Sequence, residues 1–169
     1  MVTKKSTTER YAFLKFGLSS VAGTIASAKL RMYTKSVSGA SNRSVYQVTT
    51  DRWIETGINW NNKPAYGSLL STASISSVNT LIEWDVTSYL VAQLAGDKVA
   101  SFCIRDPNMT DIGIDFYSKE SSTNKPVLLV VASDVKSAAV LTIASITDAQ
   151  NKLKVTDEKG IIIRKVLKQ

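Results

Sequence analysis

The chain has 169 residues, 44% of them hydrophobic, which is enough for one core-bearing domain and a small appendage. Lys and Arg number 21 against 14 Asp and Glu, and the net charge of +7 favours anionic partners in general, whether acidic polysaccharide, acidic lipid or nucleic acid. With no His and a single Cys, the Ser-His-Asp triad, His-based acid–base catalysis, the usual zinc and haem sites and an intrachain disulfide are all excluded.

The N-terminal ten residues are charged and lack a following apolar stretch, so they do not form a signal peptide, and Val2 to Lys5 reads as the end of a strand that begins upstream. From Ala12 to Leu18 apolar residues alternate, with Ala12, Leu14, Phe16 and Leu18 on one face, the period of a strand lying against a core. Ala28 to Lys35 repeats the pattern: Ala28, Leu30 and Met32 point inward, while Lys29, Arg31, Tyr33 and Lys35 share the other face. Further strands are predicted at Ser44–Thr50, Leu69–Ser76, Leu81–Val86, Ala100–Arg105, Gly113–Lys119 and Val127–Ala132, separated by polar turns such as Ser38-Gly39 and Asp106-Pro107-Asn108. One helix is predicted over Thr87–Gly96, opened by the Thr87 hydroxyl as cap and closed by Gly96 in the left-handed conformation, plugging one end of the strand layers. No run is long enough to span a bilayer. Many short strands with polar turns specify an all-β, antiparallel sandwich over residues 1–133. Residues 134–139 read as a linker. Residues 140–169 form a small β-rich tail with strands at Val140–Ile146, Lys152–Thr156 and Ile161–Leu167 and a hairpin turn at Asp157–Gly160.

The densest chemistry lies between Trp53 and Pro64, where two indoles, three asparagines and a lysine share one turn-rich loop. Indole faces stack on sugar rings or cations, and Asn amides both donate and accept hydrogen bonds, so Trp53, Trp60 and Asn61 are candidate ligand-binding residues; each Trp is equally at home as a filled corner of a sandwich. Arg31, Tyr33, Arg105, Tyr117 and Lys119 fall on outward strand positions and are expected to form one basic, aromatic surface bordered by the loop from Trp53 to Tyr66. A solvated sheet face with ordinary lysines is the plainer alternative. Cys103, between Phe102 and Ile104, is expected to pack in a strand. Glu55, Glu83, Asp85 and Glu120 supply oxygen donors of the kind calcium uses, without a loop motif, and leave a structural calcium open.

Taken in order, Leu14-Lys15-Phe16, Ser27-Ala28-Lys29-Leu30-Arg31-Met32-Tyr33, Val45-Tyr46-Gln47-Val48-Thr49, Asn59-Trp60-Asn61-Asn62-Lys63-Pro64, Glu83-Trp84-Asp85-Val86-Thr87 and Phe116-Tyr117-Ser118-Lys119-Glu120 resemble the DNRLRE domain, carbohydrate-binding module family 96. The resemblance spans roughly residues 2 to 133. It implies a jelly-roll β-sandwich on a secreted or cell-surface multidomain protein, attached without catalysis to a polysaccharide, alginate most directly. Family members begin with a further strand pair that has no counterpart before Val2 here. Leu141-Thr142-Ile143 and Val155–Gly160 are similar to the start of a type IX secretion sorting domain. Two other classes are compatible with the sequence: a spacer or adhesin domain without a ligand, and a polysaccharide lyase using Tyr117 or Lys119 for proton abstraction. Nucleic acid is not expected as a partner, because no helix-turn-helix or RNP-like strand is present, and neither is a membrane.

Overall fold

A computed structural model describes residues 2–3, 9, 11–132, 153–156 and 161–165, the outlying strands at 2–3, 153–156 and 161–165 by their backbone. In chain order the elements are β1 (Val2–Thr3), β2 (Ala12–Gly17), β3 (Ile25–Val37), β4 (Ser41–Val48), β5 (Tyr66–Ile75), β6 (Leu81–Asp85), α1 (Thr87–Ala95), β7 (Val99–Arg105), β8 (Ile114–Phe116), β9 (Val127–Ala132), β10 (Leu153–Thr156) and β11 (Ile161–Lys165). The architecture is all-β, mostly antiparallel, with one short helix, as the alternation predicts.

Among the described residues the strands form two sheets. One has the order β2-β7-β4-β5, each neighbour antiparallel. The other is organised on the thirteen-residue strand β3, which pairs with β9 and β6 along its first part and with β8 along its last. β1 adds to β8, and β11 runs parallel to β9 with β10 antiparallel beside it. The predicted strand at Val140–Ile146 and the turn at Asp157–Gly160 lie outside the described residues.

Period-two patterning places the core between the layers. Ala28, Leu30 and Met32 of β3 are buried, as are Phe16 of β2, Val45 of β4, Phe102 and Ile104 of β7, and Leu128 and Val130 of β9. Trp84 of β6 is fully buried, edge-on to Phe116 at 5.8 Å, and its indole N–H donates to the Arg43 carbonyl of the opposite sheet at 2.9 Å. Arg43 is itself at 0% exposure. Its guanidinium donates to the Ser41 hydroxyl at 2.9 Å, the Asn42 carbonyl at 2.7 Å and the Ile112 carbonyl at 2.6 Å, and it lies 3.2 Å from the Asp106 carboxylate. Burial pulls the Arg43 pKa down while Asp106 opposes that shift.

The helix bridges the sheets, but its caps differ from those expected. The Thr87 hydroxyl turns away from the helix and exchanges hydrogen bonds with Ala28 of β3, accepting from its N–H at 2.9 Å, and the Asp85 carboxylate receives the Thr87 N–H instead at 2.9 Å. Gly96 stays at φ −93°, its N–H shared between the Ala92 and Gln93 carbonyls, and the left-handed step falls on Lys98 at φ 61°, whose N–H also reaches Gln93. Docking decides both ends: the Tyr89 hydroxyl is locked to the Ser101 carbonyl of β7 at 3.0 Å, so the exit is set by the entry into β7 rather than by the glycine.

Arg43→Ala strands the buried Asp106 carboxylate, and the expected loss is about 3–5 kcal/mol in urea unfolding, far beyond a surface substitution. Glu83 is held below the ordinary carboxylate range, first by the Lys29 hydrogen bond at 2.8 Å and then by that of Arg31, with partial burial opposing. Its folded pKa is the lower one, so its contribution is complete above the unfolded value of about 4.3 and is lost as pH falls through the folded value. The stability gap between wild type and Glu83→Gln is therefore expected to narrow as pH falls below the ordinary Glu range, read from denaturant melts.

Candidate functional site

Alternation in β2 and β7 sends a second set of side chains out of the four-stranded sheet. Tyr11, just before β2, shares the parity of Phe13 and Lys15; in β7 the outward residues are Ser101, Cys103 and Arg105. Register sets Tyr46 of β4 opposite Cys103, and Leu69 of β5 opposite Tyr46. This outer surface is not simply solvated. Cys103 is buried, and burial pushes its thiol up to about 12, so it packs as an inert side chain.

The covering material is aromatic. Tyr46 and Tyr66 meet at 5.1 Å between ring centroids, Tyr66 and Tyr11 at 5.7 Å, Tyr11 and Phe13 at 6.4 Å, and Phe13 and Trp53 at 6.0 Å, a continuous path of rings across the sheet. Arg105 sits within it, its guanidinium 5.1 Å from the Tyr66 ring, 5.4 Å from Tyr11 and 5.9 Å from Tyr46, donating to the Tyr66 hydroxyl. It is only 8% exposed, its Nε has no partner, and among the described residues no carboxylate comes within ion-pair distance of it. Cation–π contacts offset part of the desolvation of such a charge, and an arriving anion would complete it. Tyr11 donates to the Glu9 carboxylate at 2.7 Å; burial, then that bond, raises its pKa, while Arg105 opposes the rise.

The Trp53–Pro64 loop is fastened beside β2. Lys15 donates to the Asp51 carbonyl at 3.0 Å and the Trp53 carbonyl at 2.6 Å, with its ammonium 4.7 Å from the Trp53 ring. Within the loop, Asn59 accepts from the Asn61 N–H at 2.9 Å, and Asn62 accepts from the Asn59 N–H at 2.6 Å and donates to the Gly57 carbonyl at 2.8 Å. Two of the three asparagines therefore shape the loop. The Asn61 side chain is exposed. Trp60 is 51% exposed, 5.3 Å from Tyr11, and Lys63 rests 3.7 Å from its ring while donating to its carbonyl at 2.9 Å.

The structure does not bring all the predicted site residues together. Trp53, Trp60, Asn61 and Arg105 belong to the four-stranded sheet and its loop, but Arg31 and Tyr33 lie on β3 of the other sheet. Arg31 is engaged by Glu83, and Tyr117 joins Tyr33, its N–H donating to the Tyr33 carbonyl at 3.1 Å and its hydroxyl to Asn79 at 3.2 Å. Lys119 is exposed in the segment after β8, paired with Glu55 and lying 3.5 Å from Glu120, and the bond to Glu55 raises its pKa. The expected single surface is thus corrected: strand parity tells inside from outside, but not which of two sheets a strand enters. Tyr11 and Tyr46 are not among the residues expected at the site, and Lys63 and Tyr66 enter the expectation only as members of the loop. Tyr11 carried a readable signal, the parity of Phe13 and Lys15; Tyr46 and Tyr66 required the β4–β5 register. The four carboxylates considered for calcium fall into two separate pairs and are engaged, Glu83 by Lys29 and Arg31, Asp85 by Thr87, and Glu55 and Glu120 by Lys119. Among the described residues no group of three or more acids or thiols gathers as a metal site.

Where β2 meets the segment after β8, a cavity of about 290 Å³ opens, lined by Phe13, Leu14, Lys15, Phe16, Trp53, Glu55, Ser118, Lys119, Glu120 and Pro126. The path of rings ends at this cavity, because Phe13 and Trp53 belong to both.

Such a surface of half-exposed rings and cations is of the kind that holds sugars. A gellan lyase from a Bacillus species is 33% identical over 134 residues, an alignment taking in 75% of this chain and 5% of that protein's length. The chain thus spans a small part of the relative it matches. The profile of carbohydrate-binding module family 96 matches residues 1–132, and the chain belongs to that family.

Proposed function

We propose that the outer face of the four-stranded sheet, with the Trp53–Pro64 loop, is the polysaccharide-binding surface of a non-catalytic, jelly-roll module. The observation that carries this reading is the exposed Trp60 ring under the half-buried Lys63, both against the Tyr11 ring that Arg105 also faces, Arg105 being a buried cation without a counter-ion among the described residues. Trp60 and Tyr11 offer ring surface to the apolar face of a pyranose, Lys63 offers a charge-assisted donor, and Asn61 a free amide. Arg105 works from beneath, aligning three tyrosines and making the surface positive. An acidic glycan, alginate first, suits that potential.

The relative's name, gellan lyase, supports polysaccharide as the ligand class, and the 5% of its length that the alignment takes in supports a larger, multidomain protein as the setting, which we place outside the cell or on its surface. In this arrangement residues 1–133 are the module, 134–139 a linker, and 140–169 an appendage of the sorting-domain type. A spacer without a ligand has no reason to expose a Trp under a Lys, so binding is favoured over the spacer.

Affinity electrophoresis in alginate-containing gels tests the reading. Wild type is expected to be retarded, less so as salt rises, and Trp60→Ala to weaken binding by about tenfold, the scale of one aromatic contact. Arg31→Ala, on the other sheet, is expected to leave retardation unchanged. Equal mobility of Trp60→Ala and wild type would sink the proposal, as would a loss confined to Arg31→Ala.

A further inference from the structure

The cavity between β2 and the segment after β8 lies at the end of the ring path, and its walls differ in chemistry from the Arg105 end. Phe13 and Trp53 furnish ring surface, and at about 290 Å³ the space is near the lower end of ligand pockets, roughly 300 Å³ and upward, which suits a single sugar ring. The indole N–H of Trp53 is buried without a hydrogen-bond partner. The charged groups balance: Lys15 and Lys119 face Glu55 and Glu120, Lys15 is committed to two backbone carbonyls, and Lys119 already lies between the two carboxylates. An entering carboxylate would meet two like charges and no uncommitted cation. Hydroxyl groups, by contrast, both donate to carboxylate oxygens and accept from an ammonium, so a diol fits this triad without displacing charge.

We propose that this cavity is a second subsite, which takes a further sugar unit of the same chain, the carboxylate of that unit turned to solvent, and reads it through its hydroxyls. This inference rests on the reading of the aromatic face as a glycan site, because the Phe13 ring, 6.4 Å from Tyr11 and 6.0 Å from Trp53, is what joins the two. The subsite makes affinity depend on chain length: a short oligosaccharide occupies the Trp60 face alone, and a longer one reaches the cavity.

Calorimetric titration with alginate oligosaccharides from disaccharide to hexasaccharide tests this. Wild-type affinity is expected to rise with length, and the last rise, about tenfold, to vanish in the Glu55→Ala/Glu120→Ala double variant while its disaccharide affinity and melting temperature stay unchanged. Both glutamates are exposed, so the variant keeps its fold. A length-dependent rise that survives in the double variant overturns the inference, as does a wild type whose affinity is flat with length, or a double variant that binds the long oligomers more tightly, the mark of carboxylate recognition. If Trp60→Ala leaves every length bound as before, the face reading itself fails, and the subsite with it.

Discussion

A fully buried guanidinium, that of Arg43, is the point on which both layers depend. It binds the Asp106 carboxylate and the Ile112 carbonyl from the segment that follows β7, while its own backbone carbonyl receives the indole of Trp84 from the opposite sheet. The Asp106 carboxylate in turn accepts the N–H groups of Asn108 and Thr110, so one ion pair organises the whole turn out of β7. Such a pair adds little net stability over an apolar filling, since desolvating two charges consumes most of their attraction. What it does impose is geometry, because a buried charge tolerates few alternative neighbours.

Arg105, one residue before Asp106, is a buried cation of a different kind from Arg43. Arg43 has the parity of Val45 and points into the core, where a carboxylate meets it; Arg105 is opposite Ser44 in the register, points outward, and is met by three tyrosine rings. Both are at least nine-tenths buried. A protein that supplies a counter-ion for one cation and leaves its neighbour to aromatic faces keeps positive potential available at the second. The Arg43–Asp106 clamp fixes the end of β7 and thereby the place of Arg105 on the outer face.

Most of the fold could be read from alternation. The inward sets of β2, β3 and β7, the helix, and a packed Cys103 all follow from period two or 3.6 and from residue type. The helix ends did not, because Thr87 found a partner in β3 and Tyr89 one in β7, tertiary bonds that no local signal encodes. Half of the predicted binding residues, Trp53, Trp60, Asn61 and Arg105, lie at or beside one surface, because loop composition and parity place them there. Parity alone would put Arg31, Tyr33 and Tyr117 on that surface, and parity repeats on every strand regardless of its sheet. Asn59 and Asn62 show the same limit at shorter range: an amide that shapes its own turn looks, in sequence, like one that reads a ligand.

The way the Trp53–Pro64 loop is held has a consequence for how recognition diversifies. Lys15 of β2 grips backbone carbonyls at Asp51 and Trp53, and Asn59 and Asn62 grip backbone groups inside the loop, so the remaining side chains carry little of its shape. Positions such as Glu55, Thr56, Trp60 and Asn61 are then open to replacement while the scaffold stays put, much as an antibody framework tolerates new tips. The tip of this loop can therefore be rewritten, by evolution or by a designer, without disturbing the sheet beneath it.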